Sequence, residues 1–562
     1  MTLRERGVPV FSTEAMRAAD RATIEEFGIG GFTLMETAAR ASADAIEERH
    51  GPAARLDALV LAGRGNNGGD GLAIARHLAH RGARVVVVTL ASADEGGGTP
   101  DARHNLALLR AMIERDPDLQ LELHEVATES DVDAVIGRIA PGRIDAGRID
   151  AGRIDAGRAT IAVDALLGIG QRGPLRAPIP RLVDLANGCA DAVAIDVPTG
   201  IDSDTGEALE PGHVRADLTV SMAALKPCHL FGAGRGASGD VVVADIGIPR
   251  YLEERVLGAD GSAVVPTDAA VAEQLPPPRA TGAHKDSVGL ALVVAGSEAY
   301  PGAAVLATTA AGGIGAGYVV CATTPSARAA IAARAPMAAT VALPTTGSGG
   351  IAVDAVEEVV ARATRARALL VGPGLDRDDG TVQFVRELLA RVELPTVVDA
   401  DGLYALAEGG VDEFPAEARA RWVLTPHLGE FRRLVRGAGD DPAALDLERR
   451  TWLVRAWAER LGATLVLKGA PSVTSDPRGR TFVASSVEAA HATAGSGDVL
   501  AGTIVGLLAQ GLDGVSAAVC AQHVGAAAAQ AWREDRDPRS MQPTDAVEAL
   551  PHVLRERFGL ER

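Results

Sequence analysis

Runs of β-branched and other apolar residues alternate with alanine-rich, helix-length segments along most of the chain. In the first half, residues 56–61, 84–90, 160–164, 192–197 and 217–221 are predicted strands, each separated from the next by enough residues for a helix. Parallel strands need such crossover connections, because the chain must return to the same end of the sheet. The pattern therefore predicts an α/β fold built on a largely parallel sheet.

The second half repeats this alternation. Its predicted strands are residues 290–295, 318–322, 368–371, 395–399, 422–425 and 464–468. Because 562 residues are too many for one hydrophobic core, two domains are expected. Between the halves, the pattern of strands and helices is interrupted by a polar stretch at 251–262 and by the prolines at 276–278. We expect the boundary near residue 255, with domains at 1–255 and 256–562.

Composition narrows the classes of protein and of partner. The formal net charge of −19 disfavours nucleic acid and anionic membranes as partners. No apolar stretch reaches the roughly 20 residues that cross a bilayer, and the first residues lack the apolar region of a signal peptide. The four cysteines show no C-x-x-C spacing, which predicts neither disulfides nor a zinc site. We expect a soluble protein of the reducing cytoplasm.

Lysine and asparagine are rare in this chain. Only three of its 55 basic residues are lysines, at 226, 285 and 468. An ammonium group and a guanidinium group are not interchangeable at a phosphate or catalytic site, so each lysine indicates a task that arginine cannot perform. Two of the four asparagines, Asn66 and Asn67, lie side by side in a glycine-rich loop.

That loop, Gly63–Gly71, follows one predicted strand and precedes the helix-like segment 72–79. A strand, a glycine loop and a helix in this order form the phosphate-binding layout of dinucleotide folds, so the first domain is predicted to be a Rossmann-like three-layer α/β/α sandwich. The loop matches neither G-x-G-x-x-G nor a P-loop. Its asparagine and aspartate oxygens suit a polar ligand or a hard cation.

Polar residues follow three later strands of the same half. They are Asp164 before Gly168–Gly170, Asp196 before Thr199, and Lys226. Each aspartate alone is more readily explained as a helix N-cap. Because α/β sheets build sites at the carboxyl ends of their strands, the three together indicate a site.

A second glycine turn, Ala494–Asp498, opens an apolar helix near the C-terminus. Unpaired N–H groups at a helix N-terminus attract phosphate, and glycines let the phosphate approach the backbone. Asp498 then lies where it can take a proton from a hydroxyl that attacks this phosphate. The alternative interpretation is an ordinary glycine-rich helix start.

A pentapeptide repeat, Gly-Arg-Ile-Asp-Ala, occupies residues 142–158. A period of five matches neither a strand nor a helix, so we interpret the segment as a solvated low-complexity insertion; the alternative is a partner-binding arm.

The motifs of both halves resemble known families. Residues 63–71, 164–170, 196–202 and 244–249 resemble the NAD(P)HX epimerase family, and the second half resembles the ribokinase-like NAD(P)HX dehydratases. The matching stretches there are 293–297, 302–304, 372–375, 398–403, 424–430, 467–470 and 494–498. Both sets in this order resemble the family of bifunctional NAD(P)HX repair enzymes. The resemblance covers the chain except for the repeat.

The resemblance implies that the first domain interconverts the R and S epimers of NADHX and NADPHX, which carry water added across a nicotinamide double bond. It implies a K⁺ site at Asn67, Asp164 and Thr199, with Asp164 as the first choice for proton transfer. The implied cofactor-binding residues are Asn66, Asn67, Gly68, Gly69, Asp70, Gly168, Ile169, Gly170, Gln171, Arg172, Gly173, Pro174 and Asp196.

For the second domain, the resemblance implies dehydration of the S epimer with ADP as phosphoryl donor, releasing AMP and phosphate, with Mg²⁺ bridging the donor oxygens. Hydroxide leaves poorly, and phosphorylation of the C6 hydroxyl makes it a better leaving group. Asp498 would act as the base, and the amides of 495–497 would hold the phosphoryl charge. The implied binding residues are Ala303, Gly374, His427, Lys468, Gly469, Ala470, Pro471, Ser472 and Gly497.

Some features depart from the family, and some alternatives stay open. Ser472 replaces the family's more usual threonine and Thr199 its more usual serine, and each keeps the hydroxyl. Residues 485–491 lack the usual Asn-Pro-Gly segment before the anion hole, the glycine turn Ala494–Asp498. The alternative function is a ribokinase-like small-molecule kinase fused to a non-catalytic Rossmann-like binding module. Preference between NADHX and NADPHX, and between ADP and ATP, is not decided. We expect a homo-oligomer.

Overall fold

The computed structural model describes residues 7–91, 98–139, 144–145, 148–149, 159–258, 261–282 and 284–559. These residues divide into two compact units. The described residues of Pro9–Ser262 form the first unit, and those from Ala263 onward, with Gly7 and Val8, form the second. The division follows Ser262, a few residues beyond the boundary expected from the sequence. Among the described residues, no helix is both long enough and apolar enough to span a membrane.

The first unit is built on a seven-stranded parallel sheet. A short strand, β1 (Val8–Val10), precedes it, and its own strands are β2 (Leu56–Ala62), β3 (Arg84–Leu90), β4 (Leu121–Val126), β7 (Ala159–Ala165), β8 (Asp191–Ile195), β9 (Leu218–Met222) and β10 (Asp240–Ala244). The connecting helices are Thr13–Phe27, Gly31–His50, Asn66–His80, Pro100–Arg115, Glu129–Ile139, Ile179–Asn187, Gly232–Ala237 and Arg250–Val256. The order β10-β9-β8-β7-β2-β3-β4 confirms the α/β prediction.

This order places a topological switch point between β2 and β7. From β2 the chain continues to β3 and β4 on one side, and it returns to β7 on the other. Crevices at the carboxyl ends of strands at a switch point are where open α/β sheets bind ligands. The loops after these two strands carry Asn66–Asp70 and Asp164–Gly170, and Gly63 N–H donates to the Ala165 carbonyl at 2.9 Å.

The pentapeptide repeat contributes two short strands, β5 (Ile144–Asp145) and β6 (Arg148–Ile149), which pair antiparallel. The remainder of the predicted insertion at 142–158 lies outside the described residues. Its interpretation as a solvated insertion therefore stays a prediction.

The strands of the second unit lie in the order β11-β20-β19-β18-β17-β16-β15-β12-β13-β14. Their bounds are β11 (Ala263–Val265), β12 (Leu290–Val294), β13 (Tyr318–Thr323), β14 (Ala339–Ala342), β15 (Ala368–Val371), β16 (Thr396–Val398), β17 (Trp422–Leu424), β18 (Thr464–Leu467), β19 (Val473–Ser475) and β20 (Thr481–Val483). Along the sheet from β18 to β14, every pair of neighbouring strands is parallel. The pairs β18–β19 and β19–β20 are antiparallel.

Helices connect these strands and cover the sheet. They are Asp268–Gln274, Lys285–Val288, Pro301–Gly313, Pro325–Arg334, Val356–Ala363, Asp379–Arg391, Asp401–Gly409, Ala416–Arg419, Leu428–Gly437, Arg450–Leu461, Ser496–Ala509, Gly514–Arg533 and Pro543–Glu556. The switch point here lies between β12 and β15, where Gly296 N–H donates to the Pro373 carbonyl at 2.8 Å. A Cβ on Gly502 would lie 2.8 Å from Cα of Ala307, so glycine lets helices Ser496–Ala509 and Pro301–Gly313 pack closely beside this point.

Candidate functional site

The glycine loop of the first unit lies largely within a helix. The helix begins at Asn66 rather than near Leu72, so Gly68, Gly69 and Gly71 lie in its first two turns. A Cβ on Gly68 would overlap the backbone of Gly63, and one on Gly69 would lie 2.6 Å from Cε of Met35. These glycines allow the helix to start against the sheet edge, which places the side chains of Asn66, Asn67 and Asp70 at the switch point.

The side chains of Asn67, Asp164 and Thr199, all of which carry oxygen atoms, lie together near the start of that helix. The Nδ2 group of Asn67 donates to the Leu167 carbonyl at 3.0 Å, whereas its buried Oδ1 has no hydrogen-bond partner among the described residues. Thr199 Oγ1 lies 3.1 Å from the Leu167 nitrogen and donates to Asp164 Oδ1 at 2.7 Å. A buried carbonyl oxygen without a partner costs free energy. The unpaired Asn67 oxygen therefore fits a bound cation.

Asp164 is fully buried, and both of its carboxylate oxygens accept hydrogen bonds. Its Oδ1 accepts from Thr199 Oγ1 and, at 3.2 Å, from Leu166 N–H, and its Oδ2 accepts from Thr199 N–H at 2.8 Å. Burial raises the pKa of Asp164 to about 6, although these hydrogen bonds oppose the shift. A nearby cation would favour the ionised carboxylate. The geometry suits a cation ligand more directly than a group that faces a substrate.

A cavity of about 750 Å³ opens beside this cluster. From the residues implied by the sequence, its lining includes Asn66, Asn67, Asp70, Gly168, Ile169, Gly170, Gln171 and Asp196. In the part of the chain that the structure describes, Arg172, Gly173 and Pro174 are exposed and lie outside this lining, and so does the buried Thr199. The predicted loops are thus brought together, but not every residue of them faces the cavity.

Acidic side chains lie along one part of the cavity, and one of them, Asp196, pairs with a buried lysine that lies outside the lining. Lys226 is fully buried and forms a short ion pair with Asp196; its Nζ also donates to Ser221 Oγ at 3.1 Å and to the Met222 carbonyl at 2.9 Å. Burial and the Asp196 charge raise the pKa of Asp20 to about 6 and that of Asp70 well above its usual range. Asp20 and Asp70 therefore hold a proton more readily than ordinary aspartates do.

Several cavity residues carry no signal in the sequence. Asp20 and Arg17 belong to helix Thr13–Phe27, and Asp101 belongs to helix Pro100–Arg115. Each reads as an ordinary polar position of an amphipathic helix. These helices lie beside the switch point only in the folded chain. Lys226, by contrast, could be singled out in the sequence because lysine is rare there.

In the second unit, the residues after β16 and β18 form an ion pair. Lys468 Nζ lies 2.8 Å from Oδ1 of Asp399 and 3.9 Å from Oε2 of Glu430. Asp399 is almost fully buried and also accepts from Thr425 Oγ1 at 2.8 Å. Burial works against the Lys468 charge, but Asp399 and Glu430 outweigh burial and raise the pKa of Lys468.

Asp498 lies in the first turn of helix Ser496–Ala509, close to this ion pair. Its carboxylate has no hydrogen-bond partner among the described residues. Burial raises its pKa to about 7, with the charge of Asp399 adding to the shift and Lys468 opposing it. A Cβ on Gly497 would lie 3.4 Å from Lys468 Nζ. A base that is half ionised near neutrality thus borders a glycine turn and an ammonium group.

The other predicted residues of this unit surround the same strand ends. A Cβ on Gly374, whose φ is 63°, would lie 2.9 Å from Cβ of Ala303, so these two implied NAD(P)HX contacts are neighbours. His427 caps its helix, because its Nδ1 accepts from Gly429 N–H at 3.0 Å. Ser472 Oγ accepts from Gly469 N–H and donates to the Gly469 carbonyl, both at 3.2 Å, which closes the loop 468–472.

Among the described residues, no group of three or more His, Cys, Asp or Glu side chains is arranged to hold a metal ion. The first-unit cluster instead combines amide, hydroxyl and carboxylate oxygens, which are ligands of hard cations. In the second unit, Asp399, Asp401 and Asp498 are the carboxylates near the glycine turn. Asp399 pairs with Lys468 and Asp401 with Arg377 at 2.7 Å, whereas Asp498 has no partner among the described residues. Because Mg²⁺ often binds through one or two carboxylates together with substrate phosphates, Asp498 fits a nucleotide-borne Mg²⁺.

Comparison with known proteins gives matches over both units. A family model described as NAD(P)H-hydrate dehydratase matches residues 291–552, and one described as YjeF-related protein N-terminus matches residues 31–228. The chain is 46% identical to a bifunctional NAD(P)H-hydrate repair enzyme from Salinibacter ruber, over 98% of this chain and 97% of the relative. A protein with the same description from Moorella thermoacetica is 37% identical, over 96% and 95%.

A solved structure also matches. It is the ADP/ATP-dependent NAD(P)H-hydrate dehydratase of Bacillus subtilis co-crystallised with ATP and Mg²⁺, which is 29% identical over 52% of this chain and 97% of that chain, with a TM-score of 0.43.

Proposed function

This chain belongs to the family of bifunctional NAD(P)H-hydrate repair enzymes, and from that membership we propose which residues of each unit perform the repair. The chain epimerises NAD(P)HX and dehydrates it to NAD(P)H. The two activities fall to different units, because the dehydratase family model matches residues of the second unit and the YjeF-related model matches residues of the first. The first unit is therefore the epimerase.

In the epimerase unit, the cavity at the β2–β7 switch point binds NAD(P)HX. Asn66, Asn67, Asp70, Gly168–Gln171 and Asp196 face the cofactor. Gly68, Gly69 and Arg172–Pro174 complete the two loops outside the cavity lining. Asn67, Asp164 and Thr199 bind K⁺. The observation that supports this cation is the buried Asn67 Oδ1, which lacks a partner among the described residues.

Proton transfer in the epimerase is assigned first to Asp164, in line with its pKa of about 6. This role is restricted because Asp164 Oδ1 already accepts hydrogen bonds from Thr199 Oγ1 and Leu166 N–H. If Asp164 serves only the cation, Asp20 and Asp70 are the carboxyl groups that line the cavity with raised pKa values. The variants Asp164→Asn and Asp20→Asn separate the two assignments.

In the dehydratase unit, Asp498 removes the proton from the C6 hydroxyl of (S)-NAD(P)HX as its oxygen attacks the terminal phosphoryl group of ADP. The backbone at Gly495–Gly497 and the ammonium of Lys468 stabilise the charge that develops. The phosphate ester then loses phosphate from C6 and a proton from C5, which yields NAD(P)H. The observation that carries this assignment is the unpartnered Asp498 carboxylate, with a pKa of about 7, beside Lys468.

The remaining predicted residues position the two substrates. Lys468–Ser472 hold the nucleotide, and Ala303, Gly374 and His427 hold NAD(P)HX. When bound, Mg²⁺ would neutralise phosphate charge, with Asp498 as the nearby carboxylate that has no partner among the described residues. ADP is the proposed donor, and ATP is the alternative to be compared with it.

The four cysteines, free in the structure, support a cytoplasmic location. The homo-oligomeric state stays a prediction, which light scattering coupled to size-exclusion chromatography tests.

The experiment that tests the dehydratase assignment supplies (S)-NADHX, Mg²⁺ and ADP to wild-type chain and to Asp498→Asn. We expect wild type to restore reduced-nicotinamide absorbance with one AMP and one phosphate released per turnover. Asp498→Asn should lose this activity by a factor of about 10² or more, as expected for removal of a general base, while still binding ADP. A stable phosphate ester as product would instead indicate a small-molecule kinase.

A further inference from the structure

An arginine without a partner lies beside the proposed nucleotide loop. Arg450 is the first residue of helix Arg450–Leu461, and its guanidinium is partly buried. Among the described residues, this guanidinium forms no ion pair and no hydrogen bond. Burial alone accounts for the shift of its pKa, which is lowered, and no carboxylate opposes that shift. Burying an unpaired charge costs free energy, so the position calls for an explanation.

Neighbouring arginines show the usual arrangement. Arg460 on the same helix pairs with Asp412 at 2.9 Å, and Arg480 pairs with Asp476 at 2.7 Å. Arg449, directly before Arg450, lies over the ring of Trp452 at 5.5 Å and within 4.0 Å of Asp446. Each of these arginines has an acidic or aromatic partner in the protein, whereas Arg450 has none among the described residues.

The Arg450 guanidinium lies directly against Gly469. A Cβ on Gly469 would contact its Nη2 and would lie 2.9 Å from Nη1 and 3.0 Å from Cζ. Gly469 follows Lys468, whose Nζ borders Gly497 and the base Asp498. The guanidinium and the ammonium thus flank one short loop, and glycine at 469 leaves the guanidinium room to approach that loop.

We propose that Arg450 binds a phosphate group of the nucleotide and thereby sets the affinity of the dehydratase for ADP. The proposal rests on the function proposed above, since it assumes that Lys468–Ser472 hold the nucleotide. A guanidinium offers several N–H donors in a planar fork that matches phosphate oxygens, and a phosphate supplies the negative charge that Arg450 lacks. Arg450 is a binding residue in this account and takes no proton.

The unpaired charge also makes a prediction for the free protein. Because the guanidinium is partly desolvated without a counter-charge, an uncharged side chain of similar length should not destabilise the nucleotide-free enzyme. Bound nucleotide should stabilise wild type more than such a variant, because a ligand that binds the folded state more tightly stabilises it more. A purely structural arginine would show the reverse, namely a lower melting temperature without ligand.

The test compares Arg450→Met and Arg450→Lys with the matched control Arg449→Met, all in the full chain. We expect Arg450→Met to raise KM for ADP about 10- to 100-fold, the range for loss of a hydrogen bond to a charged group, and Arg450→Lys to fall between it and wild type. KM for (S)-NADHX and the epimerase rate should stay unchanged, and Arg449→Met should match wild type.

Calorimetry with AMP and with adenosine separates phosphate binding from contact with the base. Arg450→Met should weaken AMP by the same factor and leave adenosine unaffected; equal losses for both ligands would overturn the proposal. A KM for ADP within twofold of wild type would also overturn it, as would a melting temperature lowered in both Arg450 variants with normal AMP affinity. Because AMP binding needs no turnover, this arm remains decisive even if the wild-type chain shows no ADP-dependent dehydration, which would contradict the proposed function instead.

Discussion

The ammonium nitrogen of Lys468 lies 2.8 Å from Oδ1 of Asp399 and borders Gly497, next to the proposed base. The pair joins the ends of β16 and β18, which are not adjacent in the sheet. Asp399 raises the pKa of Asp498 and Lys468 lowers it. The ion pair therefore tunes when Asp498 is ionised.

Replacing Asp399 should move the acidic limb of the dehydratase pH profile. The rate rises with pH as Asp498 loses its proton, around its pKa of about 7. Asp399→Asn removes a negative charge near Asp498, while Lys468 keeps its positive charge. The ionised form of Asp498 is therefore favoured. The limb in a plot of kcat against pH should therefore shift to lower pH.

The matched control for that shift is Thr425→Val. It removes a hydrogen bond to Asp399 but leaves the charge, so the limb should stay in place. A limb that moves to higher pH in Asp399→Asn, or moves equally in the control, would contradict the electrostatic explanation.

Two glycines of the anion hole should respond differently to alanine. At Gly497 a Cβ would meet only Lys468 Nζ at 3.4 Å and Asp399 Oδ2 at 3.9 Å, which are ordinary contacts. Gly497→Ala should therefore fold with nearly unchanged stability, while its methyl group obstructs the phosphoryl group and lowers kcat about tenfold or more. Thermal melting and steady-state kinetics measure both effects.

Gly495→Ala is the contrasting variant. Gly495 has φ of 97°, and its Cβ would lie 2.7 Å from Cδ1 of Leu306. Left-handed backbone disfavours alanine, so we expect a loss of about 1–2 kcal/mol in the free energy of unfolding. Equal melting temperatures for the two variants would be inconsistent with the glycine geometry described here.

Potassium should stabilise the epimerase unit through Asn67. Adding K⁺ in place of Na⁺ should raise the melting temperature of wild type and accelerate epimerisation, because K⁺ gives the buried Asn67 Oδ1 a partner. Asn67→Ala should lose both responses. Asn66→Ala is the control, since Asn66 is exposed one residue earlier; a K⁺ response retained in Asn67→Ala would refute the assigned ligand.

The repeat should be dispensable. Deletion of residues 142–156 removes three whole pentapeptides and no residue assigned to either site. Loop closure changes by only about 0.6 kcal/mol per doubling of loop length, so stability and both activities should persist. A fall in melting temperature of more than about 4 °C, the scale of roughly 1 kcal/mol or more, would show that the repeat packs against its domain.

Sequence patterns predicted the buried strands well and the edges poorly. The strands β12 and β15 are continuous apolar runs, and β2, β7 and β8 are apolar apart from one or two polar residues each; the structure confirms all five. By contrast, β4 and β10 were missed, because their exposed positions carry polar residues or alternate with buried ones at the edges of the sheet. The strands β14, β19 and β20 were also missed. β14 lies at the edge of its sheet, and β19 and β20 follow β18 as antiparallel strands with no helix between them, so they fall outside the alternation of strands and helices.

For the sites, sequence identified the strand-end motifs but not the helices that cover them. Asp498, Lys468 and Asn67 stand out by glycine context or by rarity. The fold brings Asn67 to the switch point of the first sheet, and it brings Lys468, at the end of β18, close to Asp498. Asp20 and Arg450 carry no local signature, because their significance depends on contacts with residues far away in the sequence. Such residues become visible only through burial without a partner.

The most direct test of the account supplies a mixture of R and S epimers of NADHX to one enzyme preparation with ADP, Mg²⁺ and K⁺. If both units act as assigned, reduced-nicotinamide absorbance should recover completely, with AMP released in equal amount, and Asp498→Asn should recover none. Recovery that stops at the S fraction would show an inactive epimerase unit. Absence of ADP-dependent recovery, or accumulation of a stable phosphate ester, would contradict the repair function itself.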